Sequence, residues 1–353
     1  MNDEPTMNDI PELLLIRPEE LPKSYSDIRC QCSERVSDAL NHSGWQPSTV
    51  SAEEVLQAVG RSLTIIGDVS FSTVKTSSTN QVADADSHDE YCRIRRVADT
   101  DTLHVFTKAT LCAYEALLKD ALTGGSSLTL KQWSDLHTAF RSLLHLIGQR
   151  GPVTKNWTNR KIMKGSHSGL DERGALRRWV QGHHVFLILI QGLIISLNCF
   201  ESAFNEGMRE ESLSALDLAT ALMDGSSAAL HHAGDFPSVV YEETVRPTMM
   251  PPNVLPGMSG ILARDHRHLV KLLHSQRPLY GTLEPILKQK YNEFVTAFGC
   301  AYEAHKLVCA HFRGGERPSL LNGEAQQSGV ELLEELKSNR LKGFRPADRV
   351  AGV

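Results

Sequence analysis

The fold of this chain is predicted most clearly by one stretch, Tyr291-Asn-Glu-Phe-Val-Thr-Ala-Phe-Gly-Cys-Ala-Tyr-Glu-Ala-His-Lys-Leu-Val-Cys-Ala-His-Phe312. Apolar and aromatic residues recur here at spacings of three and four, which predicts a long α-helix with one buried face. A single imidazole stands at the centre of that face, whose members are Phe294, Phe298, Ala301, Tyr302, His305, Val308, Cys309 and Phe312. A dry aromatic wall with one nitrogen donor is typical of a surface that packs against heme.

His305 and Cys309 give this interpretation its detail. Residues four apart lie one turn apart on the same helix face, about 6 Å from each other. That offset matches the distance from the iron of a porphyrin to its edge, so His305 is predicted to bind the iron while Cys309 reaches a vinyl group. We therefore predict heme attached through Cys309, with Tyr302 and Phe298 packing beside it. The Cys-x-x-Cys-His motif is absent, so such a link would be a single thioether.

A second pair of histidines, His266 and His268, precedes this helix and could supply a ligand for the opposite heme face. The two residues point to different sides of a helix, so only one of them can face the iron. Three other interpretations stay open. His305 could be a core histidine bonded to a carbonyl. The segment around His266 could be a solvated helix start. Both histidines, with His305 and Cys309, also contain enough donors for a tetrahedral zinc site.

The rest of the chain predicts an all-α fold in a single domain, because apolar residues repeat with helical spacing almost throughout. Helices are expected at 26–42, 51–67, 101–122, 128–146, 175–206, 211–232, 238–246, 259–275, 282–313 and 328–340. We expect an N-terminal arm and first helix over 1–45, a helical heme-binding catalytic domain over 46–313, and a C-terminal helix and tail over 314–353. The arm itself, residues 1–25, is expected to be irregular.

Two polar segments are predicted to be loops. Residues 70–89 are expected to form a loop whose acidic end is solvated. Residues 150–178 are rich in lysine, arginine and glycine, and they predict a long basic loop. Loops of that length are often covers over active sites, although a solvated loop without such a role is the alternative.

The overall composition limits the class of protein. The chain has 353 residues, 41% hydrophobic and 22% charged, which is typical of a soluble globular protein. A net charge of −5 gives no reason to expect nucleic acid or an anionic membrane as partner. The strongest apolar run, Val185 to Leu197, is shorter than the roughly 20 residues of a membrane span. Seven dispersed cysteines and an acidic N-terminal segment without a leader pattern favour a reducing cytoplasm.

Several short motifs resemble the indoleamine 2,3-dioxygenases. The stretch from Tyr291 through His305 is similar to that family's proximal helix, and Met249-Met-Pro-Pro252 with His266-Arg267 is similar to its Met-Pro-Pro…His-Arg element. Residues 241–246 resemble the segment whose arginine binds the substrate carboxylate, which implies Arg246 for that role and Tyr241 for the pocket wall.

The spacing of His266, His305 and Cys309 more specifically resembles the heme-dependent 3-methyl-L-tyrosine hydroxylases of saframycin- and safracin-type antibiotic biosynthesis. Members of that family ligate heme with two histidines and hold it by one thioether. The resemblance covers roughly residues 175–313, and it implies a helical heme domain like that of tryptophan and indoleamine 2,3-dioxygenases.

The resemblance implies conversion of 3-methyl-L-tyrosine to 3-hydroxy-5-methyl-L-tyrosine, with hydrogen peroxide, or dioxygen and a reductant, as oxidant. His266 is then the exchangeable ligand and acts in catalysis, and His183 and His184 are candidate proton shuttles. Other functions stay open: hydroxylation of tyrosine to a catechol, ring-opening dioxygenation of tryptophan, and a non-enzymatic bis-histidine heme protein. A homo-oligomer is compatible with the sequence.

Overall fold

A computed structural model describes residues 9–41, 51–68, 72–73, 80–98, 101–148, 170–256, 259–313 and 329–344. Helices dominate these residues, so the predicted all-α class is confirmed. The first six helices are α1 (Tyr25–Gln31), α2 (Glu34–Asn41), α3 (Ala52–Ile66), α4 (Asn80–Tyr91), α5 (Thr102–Gly124) and α6 (Leu130–Ile147). The later ones are α7 (Glu172–Asn205), α8 (Arg209–Ala233), α9 (Ser238–Val240), α10 (Arg246–Thr248), α11 (Arg264–Ser275), α12 (Arg277–Tyr280), α13 (Pro285–Arg313) and α14 (Gly329–Gly343).

Helix α7 is the core of the bundle. It packs against α5, α8 and α11, while α8 also contacts α6 and α13. Among the described residues α7 is the one helix that is long and apolar enough to cross a membrane by length and composition, but 78% of its most apolar window is buried inside the protein. The run that begins at Val185 therefore belongs to a core helix, as predicted.

Side-chain caps fix where several of these helices begin. The Asp101 carboxylate accepts a hydrogen bond from the His104 amide at 3.0 Å, and Thr129 forms a capping box at the start of α6. Asp171 accepts from the Gly174 amide at 2.7 Å. The last cap makes α7 begin at Glu172, so the end of the predicted basic loop is helical. The part of that loop at 150–169 lies outside the described residues.

Two glycines allow α8 to approach its neighbours closely. A Cβ atom on Gly182 of α7 would lie 2.4 Å from the Ala233 Cβ, and one on Gly225 of α8 would lie 2.5 Å from the Ala139 Cβ of α6. Both distances are far below van der Waals contact. Glycine at these positions therefore sets the α7–α8 and α6–α8 separations.

A small sheet was not predicted. Strand β1 (Leu13–Ile16) pairs in parallel with β3 (Ile94–Ala98), and the two-residue strand β2 (Ser72–Thr73) pairs with β3 in antiparallel fashion. The sheet order is β1-β3-β2. The irregular arm expected over residues 1–25 is therefore wrong at β1, where three of the four side chains are fully or almost fully buried.

The predicted loop over residues 70–89 is also wrong in its second half. Helix α4 occupies Asn80–Tyr91. Its acidic end is solvated at Glu90 but not at Asp89, which is buried and ion-paired with Arg96 at 2.9 Å. The partner lies on β3, so the helix packs a polar face against the protein.

The terminal segments share the central core. Leu13 and Leu15 belong to the same hydrophobic cluster as the α7 side chains, and so does Phe344 beyond α14. The Phe344 ring lies 4.8 Å from that of Phe298 on α13. Described parts of the segments 1–45 and 314–353 thus pack onto the segment 46–313.

Candidate active site

A cavity of about 240 Å³ lies between α7, α8, α11, α13 and α14. Its walls are mostly aliphatic and aromatic, and its polar side chains include three histidines, one from each of three helices. These are His183 of α7, His266 of α11 and His305 of α13. Helices that are distant in sequence therefore converge on one apolar chamber with several imidazoles, which is the usual composition of a ligand or cofactor site.

The wall from α13 contains the residues predicted from helical spacing. Phe298, Tyr302, His305 and Cys309 all line the cavity. The rings of Phe298 and Tyr302 are 5.5 Å apart. Desolvation by the surrounding protein lowers the pKa of His305 to about 4, so its imidazole is neutral at neutral pH and keeps a lone pair for a metal or a proton.

The geometry of His183 fixes its tautomer. Its Nδ1 atom lies 2.7 Å from the Trp179 carbonyl oxygen, so Nδ1–H donates and Nε2 remains an acceptor. Burial lowers the pKa of His183. The ring also lies 4.8 Å from the Trp179 indole, which restricts its rotation. His183 thus offers a neutral, oriented acceptor at the cavity.

Tyr241 closes one end of the cavity. It begins a π-helical turn (Tyr241–Val245) in which the Arg246 amide donates to the Tyr241 carbonyl. The Tyr241 ring stacks on Phe312 at a centroid distance of 4.1 Å and meets Trp179 at 5.5 Å. π-Helical turns occur frequently at functional sites, and this one places an aromatic side chain against the cavity.

Helix α14 covers another side of the cavity with Leu333 and Leu336. Two exposed ion pairs join α14 to α13, Lys306 with Glu334 and Lys337 with Glu303. Exposed pairs of this kind add little stability. The apolar contacts of α14 therefore account for most of its attachment.

The structure does not bring every predicted residue to the cavity. The His184 ring faces away and its Nε2 lies 2.6 Å from the Cys92 carbonyl oxygen. Arg246 is absent from the cavity lining, and its guanidinium lies 3.4 Å from Glu242. His266 lines the cavity while His268 does not, so only one residue of that pair faces the site. Rotation about each helix axis decides these outcomes.

A buried ion network behind His266 was not predicted. Arg96 donates to both oxygens of Asp265 at 3.1 and 2.6 Å and to both oxygens of Asp89 at 2.9 Å. Asp265 is fully buried, so the segment around His266 is not a solvated helix start at this residue. Gln191 donates to Asp265 at 2.8 Å. The one signal in the sequence was Gln191 itself, since an amide inside an apolar helix requires a buried partner.

The donor set fits a porphyrin better than a metal ion held by protein alone. Within the described ranges, no group of three or more His, Cys, Asp and Glu side chains is placed to hold a metal ion. The zinc site considered from the sequence also loses His268. A porphyrin brings four nitrogen ligands of its own and requires from the protein one or two axial groups and an apolar slot. His305 and His266 line the same apolar cavity and are residues of the type that such a site requires.

Comparison with known proteins identifies the family. Residues 14–290 match the family described as SfmD 3-methyl-L-tyrosine peroxygenase. A curated 3-methyl-L-tyrosine peroxygenase from Streptomyces lavendulae is 30% identical over 330 residues, 93% of this chain and 89% of the relative. A crystal structure of reduced SfmD, soaked with sodium hydrosulfite, matches with a TM-score of 0.70 and 27% identity, over 86% of this chain and all of that chain.

The fold and the comparisons define an enzyme of the peroxygenase class. The chain belongs to the SfmD 3-methyl-L-tyrosine peroxygenase family. The resemblance to heme-dependent hydroxylases of this kind is thereby confirmed, and the relation to indoleamine 2,3-dioxygenases stays a prediction.

Proposed function

We propose that this protein hydroxylates 3-methyl-L-tyrosine to 3-hydroxy-5-methyl-L-tyrosine. The family membership supports the reaction, and the observation that carries the proposal is the apolar cavity lined by His183, His266 and His305. With peroxide as oxidant the equation balances: a ring C–H bond beside the phenol hydroxyl becomes C–OH, one peroxide oxygen enters the ring, and the other leaves as water. We place the reaction in the cytoplasm.

We further propose that the cavity holds heme. His305 is the permanent ligand, because it lies inside the long helix α13. Cys309, one turn on and lining the same cavity, is the attachment point. His266 is the exchangeable ligand, because it lies in the first turn of α11. When bound, the heme would supply activation of the peroxide O–O bond.

The chain's own side chains would manage the proton and exclude water. His183 has its Nε2 free as an acceptor, so it is placed to take a proton from peroxide or from the phenol of the substrate and to return it. Tyr241, Phe312 and Trp179 form a tight aromatic end wall, which suits a substrate ring and keeps the site dry. A dry site strengthens each polar contact inside it.

Arg246 remains our candidate for the substrate carboxylate. No arginine or lysine is among the described residues that line the cavity, so we infer a cation from outside this lining. Arg246 follows Tyr241 across the π-helical turn, and its ion pair with Glu242 is long, at 3.4 Å, and partly exposed. Replacing Glu242 by a substrate carboxylate as the partner of Arg246 would therefore cost little free energy.

The decisive experiment is acid–acetone extraction of the purified protein. We expect heme to stay with the polypeptide in the wild type and in Cys300→Ala, and to be extracted from Cys309→Ala. Cys300 is a matched control because it is an exposed cysteine on the same helix. Protein that is colourless after expression in heme-replete cells would refute the proposal, and heme extracted equally from all three would refute the thioether.

Product analysis separates the remaining functions. Substrate with and without the ring methyl distinguishes 3-methyl-L-tyrosine from tyrosine as the preferred substrate. A product that keeps its aromatic ring excludes ring-opening dioxygenation, and a ferric spectrum that ignores both substrate and peroxide would instead support a non-enzymatic heme protein.

A further inference from the structure

The buried network around Arg96 uses all the hydrogen-bonding capacity of its guanidinium. Besides the four bonds to Asp265 and Asp89, Nη1 donates to the Ile16 carbonyl at 3.1 Å. Five N–H groups thus make five bonds, which is the full capacity of arginine. The Gln191 amide uses both of its N–H groups as well, on Asp265 at 2.8 Å and on Ile16 at 2.7 Å.

The network joins Arg96 of β3 to four other elements at one point. Ile16 is on β1, Asp89 on α4, Gln191 in the middle of α7, and Asp265 in the first turn of α11. The side chains of Arg96, Asp89 and Asp265 are at most 8% exposed. Charge-assisted bonds in such a dry setting are strong and geometrically specific. Asp265 is therefore held from two sides, by a guanidinium and by an amide.

The position of Asp265 in α11 gives this network a consequence for the cavity. Helix α11 has no side-chain cap at its N-terminus, and uncapped first turns tend to fray. Asp265 precedes His266 directly, and successive helical residues point in directions about 100° apart. When Asp265 is fixed toward α7 by Gln191 and toward β3 by Arg96, the imidazole of the next residue is directed into the cavity, where the structure places it.

We propose that Asp265, held by Arg96 and Gln191, is a positioning residue for His266. An exchangeable ligand must return to the same place after each turnover. This network holds in place the helical turn that carries the ligand. The inference rests on the proposed role of His266. It differs from a general contribution to stability, because it predicts a local effect on the first turn of α11 and on ligation by His266.

The test compares Asp265→Asn and Gln191→Leu with Asp120→Asn. Asp120 is a suitable control because it forms an equally buried ion pair, with Arg178 at 2.7 Å, at another place in the bundle. The first readout is hydrogen exchange in cofactor-free protein. We expect exchange of the amides in residues 264–270 to rise roughly tenfold or more in the two network variants, the scale set by losing one or two such bonds. It should be unchanged in the control.

The second readout is the low-spin ferric signal of heme-loaded protein at equal heme content. We expect both network variants to lose most of the signal from two-histidine ligation. Added imidazole should restore the signal in these variants. The control Asp120→Asn should keep it. If Asp265→Asn does not fold, Gln191→Leu decides the question alone. Unchanged exchange in the network variants, or the same change in the control, would overturn the proposal. A wild type without the low-spin signal refutes the role of His266 instead, and exchange in cofactor-free protein still tests the positioning.

Discussion

Replacing His184 by glutamine is expected to reduce the acid sensitivity of this fold while leaving the chemistry at the cavity intact. His184 is 4% exposed and is hydrogen-bonded to the Cys92 carbonyl. Burial lowers its pKa to about 4 in the folded protein, whereas an imidazole in an unfolded chain titrates near 6.5. At a pH between these two pKa values, the unfolded chain binds a proton at His184 that the folded protein does not bind. Stability from this group is therefore complete above pH 6.5 and declines as the pH falls toward 4.

The magnitude follows from the two pKa values. Lowering the pH from 7 to 5 should cost about 2 kcal/mol of unfolding free energy through His184 alone. His88 and His137 are also buried, with lowered pKa values of about 3. Both are present in the wild type and in the variant, so their contributions to the pH dependence of stability cancel in the comparison. Glutamine keeps an N–H donor for the Cys92 carbonyl and does not titrate.

The assay is urea unfolding of wild type and His184→Gln at pH 7 and pH 5. The wild type should lose about 2 kcal/mol more than the variant over this interval, and hydroxylation by the variant at pH 7 should stay within about threefold of wild type, a change below 1 kcal/mol. An equal loss in both proteins would refute the argument from burial. A large loss of activity with normal acid sensitivity would support the proton-shuttle role predicted from the sequence.

Three further changes test other parts of the structure. Gly182→Ala should destabilise the protein by about 1–3 kcal/mol, because its methyl would lie 2.4 Å from the Ala233 Cβ. Gly60→Ala has open space around it and should stabilise the protein by about 0.5–1 kcal/mol. Thermal unfolding of the two variants measures both effects. Arg178→Met should cost about 3–5 kcal/mol, since it leaves a buried carboxylate without its cation, and a smaller loss in urea unfolding would contradict that. Arg246→Gln should raise KM for the amino acid roughly tenfold or more through loss of a charge-assisted bond with little effect on kcat, and an unchanged KM would exclude the carboxylate role.

Regular periodic patterns allowed most of the fold to be predicted. The helices around Val185 and His305 have apolar faces with helical spacing, and their predicted bounds lie within a few residues of α7 and α13. The same spacing placed Phe298, Tyr302 and Cys309 on one face, and the structure puts that face against the cavity. Local spacing is enough here because these helices bury apolar side chains.

Other features depend on partners that are distant in the chain. Helix α4 was missed because the side chains it buries include His88 and Asp89, and one of the two arginines that bind Asp89, Arg264, lies 175 residues further along the chain. Strand β1 has four residues, too few for a periodic signal. His183 and His184 could not be separated by sequence either, since only the rotation of α7 determines which of them faces the cavity.

The arrangement around Arg96 also constrains the order in which the protein is assembled during translation. The guanidinium binds Asp265, which lies 169 residues further along the chain. A nascent chain that ends before α11 therefore holds this arginine with only part of its counter-charge, and Gln191 has no carboxylate to bind. Contacts at such long sequence separation form slowly. The charge on Arg96 is thus fully balanced only after about three quarters of the polypeptide has been synthesised.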